Sequence, residues 1–385
     1  MYPRLAFDIS WRDLLRAMSL CLRPPREPVA LPTAAEHAGE ALATLSVRTA
    51  FDLLLTSLEL PPGSEVLLSE ITVPHMERIV REHRLVPVPV PVDARTLGVS
   101  PTDVASRLSP QSKLLMVAHL YGSRMPLEDL GELCQQHELL LVEDCAQALT
   151  RGPLTRHPAA DASLYSFGPI KTATALGGGI ALVRDDSLRE RMQQVASTWP
   201  RQSARSYCHR VRKFMLLKLL SQPWLFGPLV WWIDRTGGNA DAFVGHSAKG
   251  FPDEGLFDAL RQQPCLALEA MMTHRLQHFD EQAIAERTRR GQQLAGALEP
   301  SMMAAGCNNP THTYWVFPLI TSEPEQMVAK LRQAGFDASQ ISGLTVLGDD
   351  SDDHWFRCTT FVPHAMPVPS RRVASIAASL ARHSP

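Results

Sequence analysis

Between Ser64 and Val183 the chain keeps repeating one pattern: a short apolar run, a polar break, then a stretch of helical period. SEVLLS (Ser64–Ser69), KLLMVAHLYG, ELLLVEDC, SLYSFG and GGIALVRD read as strands. HMERIVREH (His75–His83), PTDVASRL and PLEDLGELCQQH read as the helices between them. Strands that are apolar throughout, not alternately, are covered on both faces. Strand and helix in alternation therefore predict an α/β fold, a doubly wound and mostly parallel sheet with helices on both sides. LVPVPVPVD (Leu85–Asp93) reads as an edge strand, because proline contributes no ladder donor. Upstream, an N-terminal helix leads into a proline-rich connector from Pro24 to Pro32. Ala35 to Leu60 is helical in pattern with an interruption near Ser46. Around Gln277 the pattern changes to a long charged helix, followed by short strands (THTYWVFPLIT) and helices, which predicts a smaller C-terminal α+β domain. The expected division is 1–32 for the helix and connector, 33–265 for a large domain, and 266–385 for the small one.

Composition narrows the partners. A net charge of −2 with 20% charged residues gives no basic field, so nucleic acid is not expected. The 7 cysteines are odd in number and lack metal-ligand spacing, which favours reduced thiols in a cytoplasmic protein and predicts no metal site. The first residues, MYPRLAFDISWRDLLRAMSL, mix acids and arginines and do not read as a signal peptide.

In open parallel sheets, ligands bind beyond the carboxyl ends of the strands. ELLLVEDCAQA places Glu143, Asp144 and Gln147 there, KLLMVAHLYG places His119 and Tyr121, and SLYSFGPIK places Ser166 and Lys171. LSVRTAFDLL sets Ser46, Arg48 and Thr49 at a helix N-terminus, where free backbone N–H groups favour an anion. A lysine, a carboxylate, a flat amide and an anion cradle are the parts that hold pyridoxal phosphate. His119 reads equally well as a cleft residue or as a satisfied structural histidine. Gly177 to Gly179 read as structural, allowing close backbone approach and positive φ.

VEDCAQA, AHLYG and SFGPIK followed by ALGGG resemble, in that order, the signature of the DegT–StrS group of sugar aminotransferases, a branch of the fold-type-I pyridoxal-phosphate enzymes. The resemblance implies that Lys171 forms the Schiff base with pyridoxal 5'-phosphate and that Asp144 pairs with its pyridine nitrogen. It places Gln147 and His119 near the cofactor, and gives Ser166 and the Arg48–Thr49 turn the phosphate. The sequence also departs from the family. Val47-Arg48 stands where the family has a small pair such as Gly-Thr. Val73 or His75 stands where an aromatic often stacks, and LRQQPC, with Arg261 and Gln262, replaces a cross-subunit segment that contains asparagine.

By the same resemblance, nitrogen passes from an amino acid, glutamate being the usual donor, to a keto acceptor such as a nucleotide-linked keto-sugar. The protein is expected to act as a homodimer. Two rivals are a dehydratase-type pyridoxal-phosphate reaction, disfavoured because that branch replaces the lysine, and a catalytically silent regulatory or membrane-associated protein. One apolar insert, 208–235, contains Trp224, Trp231 and Trp232 behind the basic cluster His209, Arg210, Arg212 and Lys213. It reads as an interfacial element on the inner membrane face, as a lining for a lipid-like acceptor, or as a buried helix pair at a subunit interface.

Overall fold

The computed structural model describes residues 7–236, 250–298, 302–340, 343–348 and 354–362. Its centre is a 7-stranded sheet built from β1 (Ala41–Thr44), β2 (Glu65–Ser69), β4 (Val86–Val90), β5 (Ser112–Ala118), β6 (Leu140–Asp144), β7 (Ala162–Ser166) and β8 (Gly179–Val183). The strand order is β1-β8-β7-β6-β5-β2-β4. From β7 to β4 every pairing is parallel, while β8 runs antiparallel to both β7 and β1. The proline-rich strand β4 lies at the edge, where its missing N–H groups cost no ladder bond.

Successive residues of each strand feed opposite faces. Val66, Leu68, Leu114, Met116, Val142 and Leu164 pack under α2 (Val47–Leu58), α3 (Pro74–Glu82) and α6 (Asp186–Thr198). Leu67, Leu115, Val117 and Leu141 pack on the other side, against α4 (Pro101–Ala105) and α5 (Glu128–Gln136). Both faces are covered, which is why these strands are apolar without alternation.

One segment differs from the sequence reading. Ala35 to Leu60 is not an interrupted helix: a 3-10 turn (Ala35–His37) and strand β1 precede α2. ALAT has little strand character of its own. It becomes a strand because β8 offers it an antiparallel edge, Ala41 opposite Leu182 through Thr44 opposite Gly179.

The N-terminal helix α1 (Trp11–Leu22) is locked to the body. Ser10 caps it, and Asp13 accepts from Arg275 at 2.6 Å and from His274 at 3.0 Å on the Leu266–Gln277 helix. That helix and α7 (Ala204–Leu220) share a core with α1, Phe167 and Ile180. A C-terminal layer follows, with strands Met303–Ala304, Phe317–Ile320 and Thr359–Val362 in one sheet under the Pro324–Gln333 helix. Strand β3 (Ile71–Thr72) pairs with Thr345–Val346 and ties this layer to the main sheet.

The insert 208–235 forms most of α7 and all of α8 (Pro223–Arg235). Tyr207, Val211 and Phe214 turn inward, and Tyr207 donates to the Ala175 carbonyl at 2.8 Å. The basic cluster is divided: His209, Arg212 and Lys213 are exposed, whereas Arg210 turns in toward the Leu176 carbonyl. Trp224 and Trp231 are exposed. The side chain of Trp232 and the residues 237–249 lie outside the described ones. Among the described residues no helix is long and apolar enough to cross a membrane.

Candidate active site

Two glycines bring the strand ends and the α2 N-terminus together. A Cβ on Gly179 would lie 2.6 Å from the Ser46 carbonyl carbon and 2.8 Å from the Val47 nitrogen, so the β1–α2 turn can settle there only over glycine. Gly178 sits at φ +91° and donates to the Leu45 carbonyl at 3.0 Å. The turn is thereby fixed beside the loop that carries Lys171. The sequence reading of these glycines as structural agrees with this packing.

Asp144, Lys171 and Arg48 converge on that point. Asp144 ends β6, and its Oδ1 accepts from the Ala146 N–H at 2.8 Å. Burial raises its carboxyl above the ordinary range, against that backbone donor and the nearby charges of Lys171 and Arg48. Burial pushes the Lys171 amine down to about 8, with Asp144 opposing and Arg48 adding to the shift. Burial also lowers Arg48, and Asp144 opposes. Among the described residues neither the Lys171 amine nor the Arg48 guanidinium has a hydrogen bond or ion pair. Arg48 makes only a ring contact with Phe251, 5.3 Å to the centroid. Three desolvated charges with little protein partnering, gathered at the strand ends, make this the candidate site.

Gln147 lies three residues past the end of β6, and Ser166 is the last residue of β7. The Gln147 Oε1 accepts the Tyr121 N–H at 2.8 Å, which fixes the amide orientation and leaves Nε2 without a partner among the described residues. Ser166 Oγ accepts only a long contact from the Gly168 N–H, 3.4 Å, so its own hydrogen is available. A Cβ on Gly168 would touch both Ser166 Oγ (3.6 Å) and Lys171 Cγ (3.7 Å), which places the two side chains side by side.

Two expected site residues do structural work instead. Thr49 donates its N–H to Ser46 Oγ at 3.1 Å and its hydroxyl to the Leu260 carbonyl at 3.1 Å, so it has no donor left for a phosphate. His119 is enclosed on the far face of β6. Its Nδ1 accepts from the Met125 N–H at 3.2 Å, so Nε2 carries the hydrogen and donates to Glu143 at 2.9 Å. Burial keeps that ring neutral by lowering its pKa. The remaining departures also resolve. Arg261 binds Asp52 through Nε (3.0 Å) and a terminal nitrogen (3.1 Å), Gln262 binds the Asp258 carbonyl, Val73 packs into the core, and His75 pairs with Asp253 at 3.1 Å.

Three participants were not read from the sequence. Asp8 accepts the Ala173 N–H at 2.6 Å, two residues past Lys171. Arg287 donates to Thr172 Oγ1 at 3.3 Å and to the Thr313 carbonyl at 3.0 Å. Trp315 lays its ring on Lys171, 4.4 Å from Nζ to the centroid. All three come from elements distant in sequence, and only the tryptophan in THTYWVFPLIT could have suggested a cleft wall.

Comparison with known proteins agrees with this geometry. Residues 33–215 match the model of the DegT/DnrJ/EryC1/StrS aminotransferase family. That region, a little under half of the chain, is similar to the family. Within it lie all the strand-end residues described above. GDP-perosamine synthase of Caulobacter vibrioides is 29% identical over 155 residues, 40% of this chain and 42% of the relative. Erythromycin biosynthesis sensory transduction protein EryC1 of Saccharopolyspora erythraea is 31% identical over 170 residues, 42% of this chain and 44% of the relative. The chain thus spans less than half the length of these curated relatives. Over its whole length the fold is that of the solved aminotransferase TlmJ from Streptoalloteichus hindustanus, with TM-score 0.70 and 18% identity over 99% of this chain and 98% of that one. A mostly parallel fold-type-I sheet is therefore shared from end to end, and the sequence signature is concentrated in its first half.

Proposed function

We propose that the protein is a pyridoxal-phosphate-dependent aminotransferase. The observation that carries this reading is the convergence of Asp144, Lys171 and Arg48, each desolvated and scarcely partnered, on one point beyond the strand ends. The donor set fits the cofactor's groups one for one. Asp144 suits a protonated ring nitrogen, the Lys171 amine suits the aldehyde carbon, and Arg48 with the Ser166 hydroxyl suits the phosphate. The free Nε2 of Gln147 suits an oxygen on the ring's edge.

When bound, the cofactor supplies an electron sink for the pair left on the substrate carbon as a proton departs. The chain's own groups do the rest. Asp144 holds the proton on the ring nitrogen, and its low-dielectric setting strengthens that pairing. Lys171 would hold the cofactor through Nζ, and its amine, when free, would accept a proton from the substrate carbon and return it one position away. An amine at about 8 is neutral in a useful fraction near neutral pH. Arg48 supplies a fixed cation where the family has a neutral pair, which strengthens the hold on a dianion.

The donor is an amino acid, glutamate, and the acceptor a nucleotide-linked keto-sugar or a more hydrophobic carbonyl compound. Retention of Lys171 favours amino transfer over dehydration, and the intact Asp144–Lys171 pair opposes a silent role. A cytoplasmic homodimer is part of the same proposal. Contact of α8 with an anionic lipid surface is its most peripheral part, supported only by the exposure of Trp224 and Trp231 on α8 and of Arg212 and Lys213 on α7. The test of the central claim is spectral. Protein loaded with pyridoxal phosphate should absorb in the visible, and glutamate should bleach that band while 2-oxoglutarate forms. A band that no amino acid alters would sink the reading.

A further inference from the structure

Trp315 touches the Lys171 segment twice. Its ring face lies 4.4 Å from the amine, and its indole N–H donates to the Ile170 carbonyl at 3.2 Å, the peptide just before the lysine. The contact is built for closeness. Trp315 donates its own backbone N–H to the Tyr121 carbonyl at 2.7 Å, and a Cβ on neighbouring Gly122, φ +94°, would lie 2.6 Å from that same nitrogen. Tyr121 in turn holds Gln147 through its N–H. One side chain from the C-terminal layer thus contacts the lysine's head and its backbone, and shares a support with the amide across the cleft.

We propose that Trp315 is the positioning residue of Lys171, fixing by its ring face and its indole N–H where the amine stands whenever it is not joined to a ligand. The inference deepens the reading of Lys171 as the reactive amine. The charged groups around that amine are Asp144 from β6 and Arg48 from α2. Trp315 is the wall that arrives from the other half of the molecule. The electron-rich ring face attracts an ammonium, and the attraction grows in a desolvated site. The indole bond restrains the peptide from which the side chain departs. Together they make the amine's position depend on the C-terminal layer being docked.

The test uses the cofactor-free full chain. Formaldehyde with cyanoborohydride methylates accessible amines, and peptide mass spectrometry isolates the rate at Lys171 as a function of pH. The wild-type midpoint is expected near 8. Trp315→Leu keeps the site apolar but removes both contacts. Its midpoint should fall by roughly half a unit to one unit, the size of a cation–π contact. Hydrogen exchange in the Gly168–Leu176 peptide should rise several-fold. Trp315→Phe keeps a ring face and loses the donor, so its midpoint should stay near wild type while the exchange still rises. Unchanged midpoint and exchange in the Leu variant would overturn the proposal. If that variant does not fold, unchanged exchange in the Phe variant overturns it. A wild type that binds no pyridoxal phosphate would refute the proposed function yet leave these readouts intact, so the two failures are distinguishable.

Discussion

Glu143 and Asp144 are neighbours on one strand, and they could hardly be treated more differently. Glu143 points to the closed face and is saturated. Its Oε2 accepts from His119 and from Arg124, each at 2.9 Å, and its Oε1 accepts from the His157 N–H at 2.9 Å and from the Ser163 hydroxyl. Those donors outweigh the cost of burial and hold its carboxyl well below the ordinary range. Asp144 points to the cleft with one backbone donor, and burial raises it instead. A carboxylate whose acceptor sites are all filled is structural. One left under-filled beside a lysine and an arginine awaits a partner. His119, Glu143 and Cys145 also have their ligand atoms close together, but the Glu143 oxygen among them is already bonded by Arg124 and by His119 itself.

The strongest way to break this contrast is to empty the cleft side. Lys171→Ala should lower turnover by more than about 10⁴-fold, since both the covalent anchor and the proton carrier go. In wild type, borohydride reduction and peptide mapping should find the cofactor on Lys171, and label on another lysine would refute the assignment.

The closed side should respond in stability. Glu143→Ala leaves Arg124 and His119 without their buried partner and should cost about 3–5 kcal/mol in urea unfolding. Its pH signature has a definite sign. A depressed carboxyl stabilises the fold above its unfolded pKa of roughly 4.3, and that support is lost as pH falls below it. His119, also depressed, resists protonation in the fold, so stability begins to drop below its unfolded value of roughly 6.5. Wild-type stability should therefore decline as pH falls through both windows, and the Glu143→Ala variant should decline less below the lower one. An equal decline would assign the acid sensitivity elsewhere.

Asp144→Asn should leave the unfolding midpoint close to wild type while turnover drops roughly 10²–10³-fold, the usual cost of one preorganised electrostatic group. A variant of near wild-type rate would mean that Asp144 does not support the ring nitrogen. Arg48→Gln should weaken pyridoxal-phosphate binding by about 10–100-fold, the loss of one charge-assisted hydrogen bond. An unaltered dissociation constant would point Arg48 elsewhere.

The smallest effect is expected at α8. Trp224→Ser with Trp231→Ser should reduce binding to anionic liposomes a few-fold at all salt concentrations, because apolar burial is not screened. If wild type ignores liposomes, the lipid contact is to be dropped.

The sequence by itself determined the doubly wound sheet, because apolar runs without alternation have only one economical solution: cover on both faces. It also put Asp144, Gln147, Ser166, Lys171 and Arg48 forward together, because strand ends of a parallel sheet share one rim. What it could not separate was which strand-end residue faces which side. His119 and Thr49 stand at the right ends, yet the closed face captured the first through Glu143 and Met125, and the Leu260 carbonyl captured the second. Nor could it show that Ala41–Thr44 would become a strand, since only the waiting edge of β8 makes it one. Asp8, Arg287 and Trp315 reach the Lys171 loop from more than a hundred residues away in the chain. Local pattern carries no trace of such contacts; they exist only once the sheet, the N-terminal helix and the C-terminal layer have packed.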